Sequence, residues 1–344
     1  MQKLDCNVEI SKRIEAFKEL GRRMRNISPE KLFTWSFEAE SKNKWFTAEN
    51  VKSAVAAIGE MLKESAIDNW LNNYKLTESS GKKVGVVMAG NIPMAGFHDL
   101  MCVLISGNKL FAKLSSDDEI LMKKVATELI EINNAFDNYI QFGERLKGMD
   151  AVIATGSDNT SRYFKYYFSH IPNVIRGNRN SVAVLNGNES YESLQRLGDD
   201  VFKYFGLGCR SVSKLYVPAG YSLNAFLGAV DNYKDIIHHN KYFNNYEYHK
   251  AVLLLNKVSH LDNGFLLLRE DEALASGVSL VYYEYYANQE ELSAKLESNK
   301  NKIQVVLSDG KWLSGSEDFG MAQCPSIDDY ADGVDTLKFL INLS

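Results

Sequence analysis

Apolar residues at positions 8, 10, 14, 17 and 20 follow the three-and-four spacing of a helix face. The stretch from Asn50 repeats that spacing, with Asn50 as the expected N-cap, and a third short helix is predicted around Ser65–Tyr74. Residues 8–75 therefore read as helical. The texture changes at Lys82. Val84-Gly-Val-Val-Met-Ala is an unbroken apolar run, as in a parallel strand covered on both faces. It ends in Gly90–Gly96 and an apolar helix, Phe97–Ser106. Strands are predicted at Lys109–Leu114, Tyr139–Phe142, Asp150–Thr155, Val174-Ile175 and Val182–Leu185, interleaved with helices over 118–133 and 158–168. Beyond residue 207 the pattern resumes with a strand at 214–217, a helix over Leu223–Val230 and a polar-aromatic helix near 240–250. Strands at Ala251–Leu255, Phe265–Leu268, Ser279–Tyr285 and Ile303–Leu307 follow, then a short helix over Asp335–Leu343. Alternation of this kind predicts an α/β protein with two doubly wound, largely parallel lobes behind an N-terminal helical segment. The expected divisions are 1–80, 81–207 and 208–344, with the Ser-Ser-Gly of Leu76–Lys83 marking the first.

With 344 residues, 45% hydrophobic and 24% charged, the chain has material for two cores. Its net charge of −5, without a Lys/Arg cluster, argues against a nucleic-acid partner. No apolar run approaches membrane-spanning length and the N-terminus lacks the apolar core of a secretory signal, so a cytoplasmic protein with reduced thiols is expected. The four cysteines, Cys6, Cys102, Cys209 and Cys324, lie far apart and make no metal-ligand pattern. His238, His239 and His249 have no carboxylate or thiol at ligand spacing either, so no metal site is expected. Cys209 stands out. It follows a glycine-bearing turn, Gly206 and Gly208, and precedes the apolar run Lys214–Pro218, where a thiol can face a cleft between regular elements. A lone cysteine is more often a small buried hydrophobe, which is the reading for Cys102 and Cys324. The aromatic set Tyr242, Phe243, Tyr246 and Tyr248 reads as core packing.

Taken together, the turns around these strands resemble the aldehyde dehydrogenase superfamily, and more narrowly the acyl-CoA reductases related to the bioluminescence fatty-acid reductase. The resemblance runs from about residue 84 to 338 and carries several implications. It makes the first lobe the dinucleotide-binding domain and the second the catalytic domain. Gly90-Asn-Ile-Pro93 is similar to the family's Trp-Asn-Phe-Pro turn. Asn91 would then share an oxyanion hole with the backbone of the nucleophile, a donor worth roughly 3–4 kcal/mol in such sites. Phe205-Gly-Leu-Gly-Cys209 is similar to the nucleophile turn and makes Cys209 the nucleophile. Phe111-Ala-Lys113-Leu-Ser-Ser116 resembles Lys-Pro-Ser-Glu, placing Lys113 and Ser116 at the adenosine ribose. Ser116 stands where the family has a carboxylate that binds the ribose hydroxyls, which favours NADPH and leaves NADH open. Ala154-Thr-Gly156-Ser157 resembles the turn lying against the pyrophosphate, although Ser161 replaces that motif's last glycine. Glu317-Asp-Phe319-Gly320 resembles the Glu that holds the nicotinamide ribose and the Phe that packs on the ring.

One departure is informative. The family's hydrolytic base falls on Ile175, with Asn173 and Arg176 as the nearest polar residues. An enzyme lacking that base suits passage of the acyl group to or from CoA instead of water. The resemblance therefore implies NADPH-dependent reduction of a fatty acyl-CoA thioester to the aldehyde. An aldehyde-oxidising NAD(P) dehydrogenase and a non-redox Cys acyltransferase are the alternatives. The sequence leaves open the chain length, a homodimer, and whether an acyl-transferring protein delivers the substrate.

Overall fold

The computed structural model describes residues 8–77 and 81–343. Cys6 and the centre of the expected boundary at 76–83 lie outside the described residues. The chain forms two compact units, residues 1–177 with 325–344, and residues 178–324.

The first unit opens with four helices, α1 (Ile10–Arg25), α2 (Pro29–Lys42), α3 (Ala48–Met61) and α4 (Glu64–Leu71). Ser28 caps α2, accepting from the Lys31 N–H with Pro29 at the first helical position. Thr47, not Asn50, caps α3: its hydroxyl accepts from the Asn50 N–H at 3.3 Å, while the Asn50 side chain donates to the Trp45 carbonyl. There follow β1 (Lys83–Val87), α5 (Phe97–Ile105), β2 (Lys109–Lys113), α6 (Glu119–Ile132), β3 (Ile140–Phe142), β4 (Ala151–Thr155), α7 (Asp158–Tyr167) and β5 (Asn173–Arg176). The strands form one parallel sheet in the order β3-β2-β1-β4-β5. Strand order reverses between β1 and β4, and ligands of open α/β sheets bind outside the carboxyl ends at such a point.

The second unit holds β6 (Asn180–Val184), α8 (Tyr191–Phe202), β7 (Val212–Pro218), α9 (Asn224–Ala229), α10 (Asn240–Leu255), β8 (Leu261–Asp262), β9 (Leu267–Glu270), β10 (Leu280–Tyr286), α11 (Gln289–Asn299) and β11 (Ile303–Ser308). Its sheet runs β11-β6-β7-β10-β9-β8, parallel except for the β8–β9 pair. The chain then returns to the first unit with α12 (Thr336–Ile341). That tail is fastened there by Arg176, which chelates Asp99 of α5 at 2.9 and 2.7 Å and donates to the Thr336 hydroxyl at 2.7 Å.

Two further expectations are corrected. The division falls at 177/178, not 207/208, because β6 pairs with β7 and β11 and so belongs to the second sheet. Ala251–Leu255 is no strand but the last turn of α10, which runs unbroken from Asn240. Five apolar residues carry no period of their own, and no Gly or Pro separates them from the helix ahead, so helical propagation wins.

Candidate active site

On the first unit, the carboxyl ends of β1, β2 and β4 carry the turns singled out from sequence. After β1 the Met88 N–H bonds the Lys113 carbonyl at 3.0 Å, tying this turn to the one after β2. Gly90 has no room for a side chain: a Cβ there would stand 2.5 Å from both Cβ and Oγ of Ser115. Asn91 follows at an exposed position. The turn then passes through Met94 in the left-handed region, φ 58°. Its N–H donates to the Asp118 carboxyl at 2.6 Å. Asp118 is 2% exposed and its second oxygen, Oδ1, has no hydrogen-bond partner. Burial pushes its carboxyl well above the usual carboxylate range, against the pull of the Met94 and Ala95 N–H groups. Sequence reading saw Asp118 only as part of a helix start; no motif marks a side chain that reaches back across 24 residues to a turn.

Lys113, at the end of β2, has its ammonium 3.0 Å from the exposed Glu144 carboxylate. Ser116 is exposed one turn ahead of α6. Ser157, after Gly156, caps α7 by accepting from the Thr160 N–H at 3.4 Å. Lys113 and Ser116 thus follow β2, and Ser157 and the amide end of α7 follow β4, on either side of β1 where the strand order reverses. Ile175, where the resemblance expects the hydrolytic base, lies on β5 with both polar neighbours engaged. Arg176 holds Asp99 and Thr336, and the Asn173 amide donates to the Phe168 and Ile171 carbonyls.

On the second unit, Cys209 is exposed and in no disulfide. The chain reaches it through three consecutive left-handed residues, Tyr204 (φ 53°), Phe205 (φ 58°) and Gly206 (φ 76°). For non-glycine residues that conformation costs roughly 1–2 kcal/mol each. Packing offsets it: Tyr204 is buried and the Phe205 ring lies 4.3 Å from the His239 ring, centroid to centroid. The Cys209 carbonyl accepts from the Ser181 hydroxyl at 3.0 Å, and the Ser211 N–H closes the turn on Gly208 at 3.0 Å. A cleft beside this turn is lined by Gly208, Ser211, Tyr242, Gly277 and Ser279. Glycines hinted at the turn; the strain at Tyr204 and Phe205 had no sequence signal, since neither residue type favours positive φ.

The remaining residues divide. Glu317 extends the sheet through a bridge to Leu307, and its exposed carboxylate pairs with Lys311 at 2.6 Å. Phe319 is 1% exposed inside the core of the second unit, with no ring face open. Cys102 is buried and its thiol pKa is raised by burial, whereas Cys324 is exposed, contrary to its expected burial. His239 caps α10 by accepting from the Tyr242 N–H. Tyr242 and Tyr246 are core residues, but Phe243 and Tyr248 face solvent. Among the described residues no cluster of His, Cys, Asp and Glu could hold a metal, and no helix is long and apolar enough to cross a membrane.

Comparison with known proteins adds the following. The sequence profile of the family described as acyl-CoA reductase (LuxC) matches residues 4–225. A long-chain acyl-protein thioester reductase of Aliivibrio fischeri is 23% identical over 188 residues. That match takes in 49% of this chain and 39% of the relative, so less than half of the relative's length is represented. Among solved structures, a Mycobacterium tuberculosis aldehyde dehydrogenase complexed with NAD+ superposes with a TM-score of 0.62 at 13% identity, covering 88% of this chain and 73% of that one. Aldehyde dehydrogenase 21 of Physcomitrella patens, in complex with succinate, gives 0.62 at 13% identity, with the same coverage of each chain. At such identities the likeness establishes the aldehyde dehydrogenase fold.

Proposed function

The chain belongs to the acyl-CoA reductase (LuxC) family, and we propose that it reduces a fatty acyl thioester to the aldehyde through an acyl group carried on Cys209. The observation that carries the reading is an exposed, reduced thiol presented by a left-handed turn that packing must hold in place. The second support is the absence of a base at Ile175, where Asn173 and Arg176 are both occupied structurally.

In this reading the Cys209 thiolate attacks the thioester carbonyl carbon. Its new C–S bond forms as the donor's C–S bond breaks, and the donor leaves as a thiol with one proton from solvent. Asn91 serves as an amide donor to the oxygen on which charge develops. A reduced nicotinamide dinucleotide, when bound, would supply a hydride to the acyl carbon; breaking of that carbon's bond to Cys209 then releases the aldehyde and returns the thiolate. Lys113, Ser116, Gly156, Ser157 and Glu317 are its proposed binding residues. Phe319 has that role only if its ring leaves the core it occupies. With no base at residue 175 to activate water, the acyl group is not discharged as the acid.

NADPH is the proposed donor, because Ser116 and Lys113 can meet a 2′-phosphate. Glu144 beside Lys113 opposes that phosphate, and its swing away from the ammonium is part of the proposal. The acyl donor is a CoA thioester; a protein-bound thioester is the second reading, favoured by the Aliivibrio relative's description.

The test is reduced-nucleotide oxidation with CoA esters of graded chain length and with an acylated carrier protein, for wild type and Cys209→Ala. Thioester-dependent consumption that falls to background in the variant is expected. Oxidation of aldehydes to acids without thioester reduction would instead mark an oxidising dehydrogenase. Activity retained in Cys209→Ala would remove the proposed mechanism.

A further inference from the structure

The segment 319–323 is held from below by one side chain. Asp200, on the last turn of α8, is 0% exposed, yet both its oxygens are used. Oδ2 accepts the Gly320 N–H at 2.6 Å and Oδ1 accepts the Ala322 N–H at 2.9 Å. Two converging amide donors are what an ionised carboxylate satisfies best. The same segment then reaches the residues that follow Cys209. The Ala322 carbonyl accepts from Arg210 at 3.4 Å, and the Gln323 amide donates to the Ser211 hydroxyl at 3.1 Å. Ser211 is itself the residue whose N–H closes the Cys209 turn on Gly208. Asp200 is thus two hydrogen bonds from the backbone that aims the thiol.

We infer that Asp200 is a positioning residue for Cys209, fixing the segment 319–323 so that Arg210 and Ser211 hold the thiol-bearing turn. The inference rests on Cys209 being the nucleophile. Asp199, the neighbouring acid, is outside this arrangement and takes the Tyr233 hydroxyl instead. A carboxylate buried only to staple a loop would be an expensive device, since an apolar contact does that without desolvating a charge. Its use here makes sense where the loop's exact placement matters for a reacting group. Burial pushes the Asp200 carboxyl up to about 7, against the two N–H donors. Asp199 adds to that rise and Lys203 opposes it, Tyr233 faces the same carboxylates, and Arg196 packs under Gly320. Burial outweighs the two N–H bonds, so the hold on the segment is fullest below the ordinary carboxylate range and weakens as pH rises through about 7.

The experiment uses the full-length protein. Asp200→Asn keeps the shape but offers one acceptor and turns an NH2 toward the second N–H. Three readouts are taken: iodoacetamide alkylation of Cys209 located by peptide mass, backbone hydrogen exchange, and acyl transfer to Cys209 without nucleotide. Expected are faster exchange in peptides covering both 319–323 and 206–212, and acylation slowed about tenfold, since small misplacements of reacting groups have effects of that order or more. The wild type should show a pH inflection near 7 in exchange of the 319–323 peptide that the Asn variant lacks. Loosening of 319–323 with alkylation and acylation at Cys209 within twofold of wild type would overturn the inference, as would unchanged exchange. Should Asp200→Asn fail to fold, Gln323→Met breaks the link to Ser211 without touching the carboxylate, and unaltered Cys209 reactivity there overturns the inference equally. Full activity in Cys209→Ala would instead strike the functional reading, while exchange and alkylation would still report on Asp200.

Discussion

The two units each present a site turn, and they hold it by different means. In the first, the Asn91 turn sits where regular geometry puts it, at the carboxyl end of a central parallel strand. One residue is strained, Met94, and one buried side chain, Asp118, pins it. In the second, the Cys209 turn follows three left-handed residues, and its hold is spread over Ser181, Arg210, Ser211 and the segment behind them. The lesson is that sheet topology positions the proposed site turns of the first unit, whereas tertiary contacts position the thiol.

Replacing Gly90 strikes the topological side hardest. Gly90→Ala drives a Cβ into Ser115, with the Asp118 backbone nitrogen only 3.2 Å away, and neither neighbour is the loose end of a long side chain. A loss of about 1–3 kcal/mol is expected in urea unfolding, with weakened nucleotide binding and unaltered Cys209 alkylation. Alkylation falling together with nucleotide binding would break the contrast between the units.

Asp118 gives a comparable effect and a pH signature. Asp118→Ala leaves the Met94 N–H without its acceptor and is expected to cost about 1–3 kcal/mol. Asp118→Asn keeps an acceptor and never ionises. Because burial raises the folded-state pKa, the folded state keeps this proton longer than the unfolded chain. Its contribution is full below the unfolded carboxylate range and is lost as pH rises through the folded value. Wild type should therefore lose stability relative to the Asn variant as pH climbs from acid; parallel stability curves would contradict the assignment.

On the other side, Gly206→Ala places a side chain at φ 76° with its Cβ 3.3 Å from the Val201 carbonyl oxygen. About 1 kcal/mol or somewhat more is expected, with slower Cys209 alkylation and intact nucleotide binding, the mirror image of Gly90→Ala. The smallest effect belongs to Glu144→Gln. An exposed ion pair is worth about 0.2–1 kcal/mol, so the ratio of NADPH to NADH use should rise by a few-fold at most. A fall in that ratio would place Glu144 on the nucleotide's side instead of against it.

How much was legible follows from the same contrast. The first sheet announces itself in unbroken apolar strands such as Val84–Val87, each ending in a glycine or serine turn, so the α/β fold and the placement of Asn91, Lys113 and Ser157 could be read directly. The end of α10 could not, because Ala251–Leu255 is too short to show a period. Nor could the burial of Phe319, since a motif gives a residue type but not its packing. The roles of Asp118 and Asp200 escaped for a different reason. Each acts by accepting backbone N–H groups far along the chain, and those partners have no side-chain signature.

The most direct test of the central claim is to mix the protein with a labelled fatty acyl-CoA in the absence of nucleotide and map the label by peptide mass. The account predicts an acyl thioester on Cys209, stable to water and released as aldehyde when NADPH is added. Label on Cys324, or rapid release of free acid from Cys209, would contradict it.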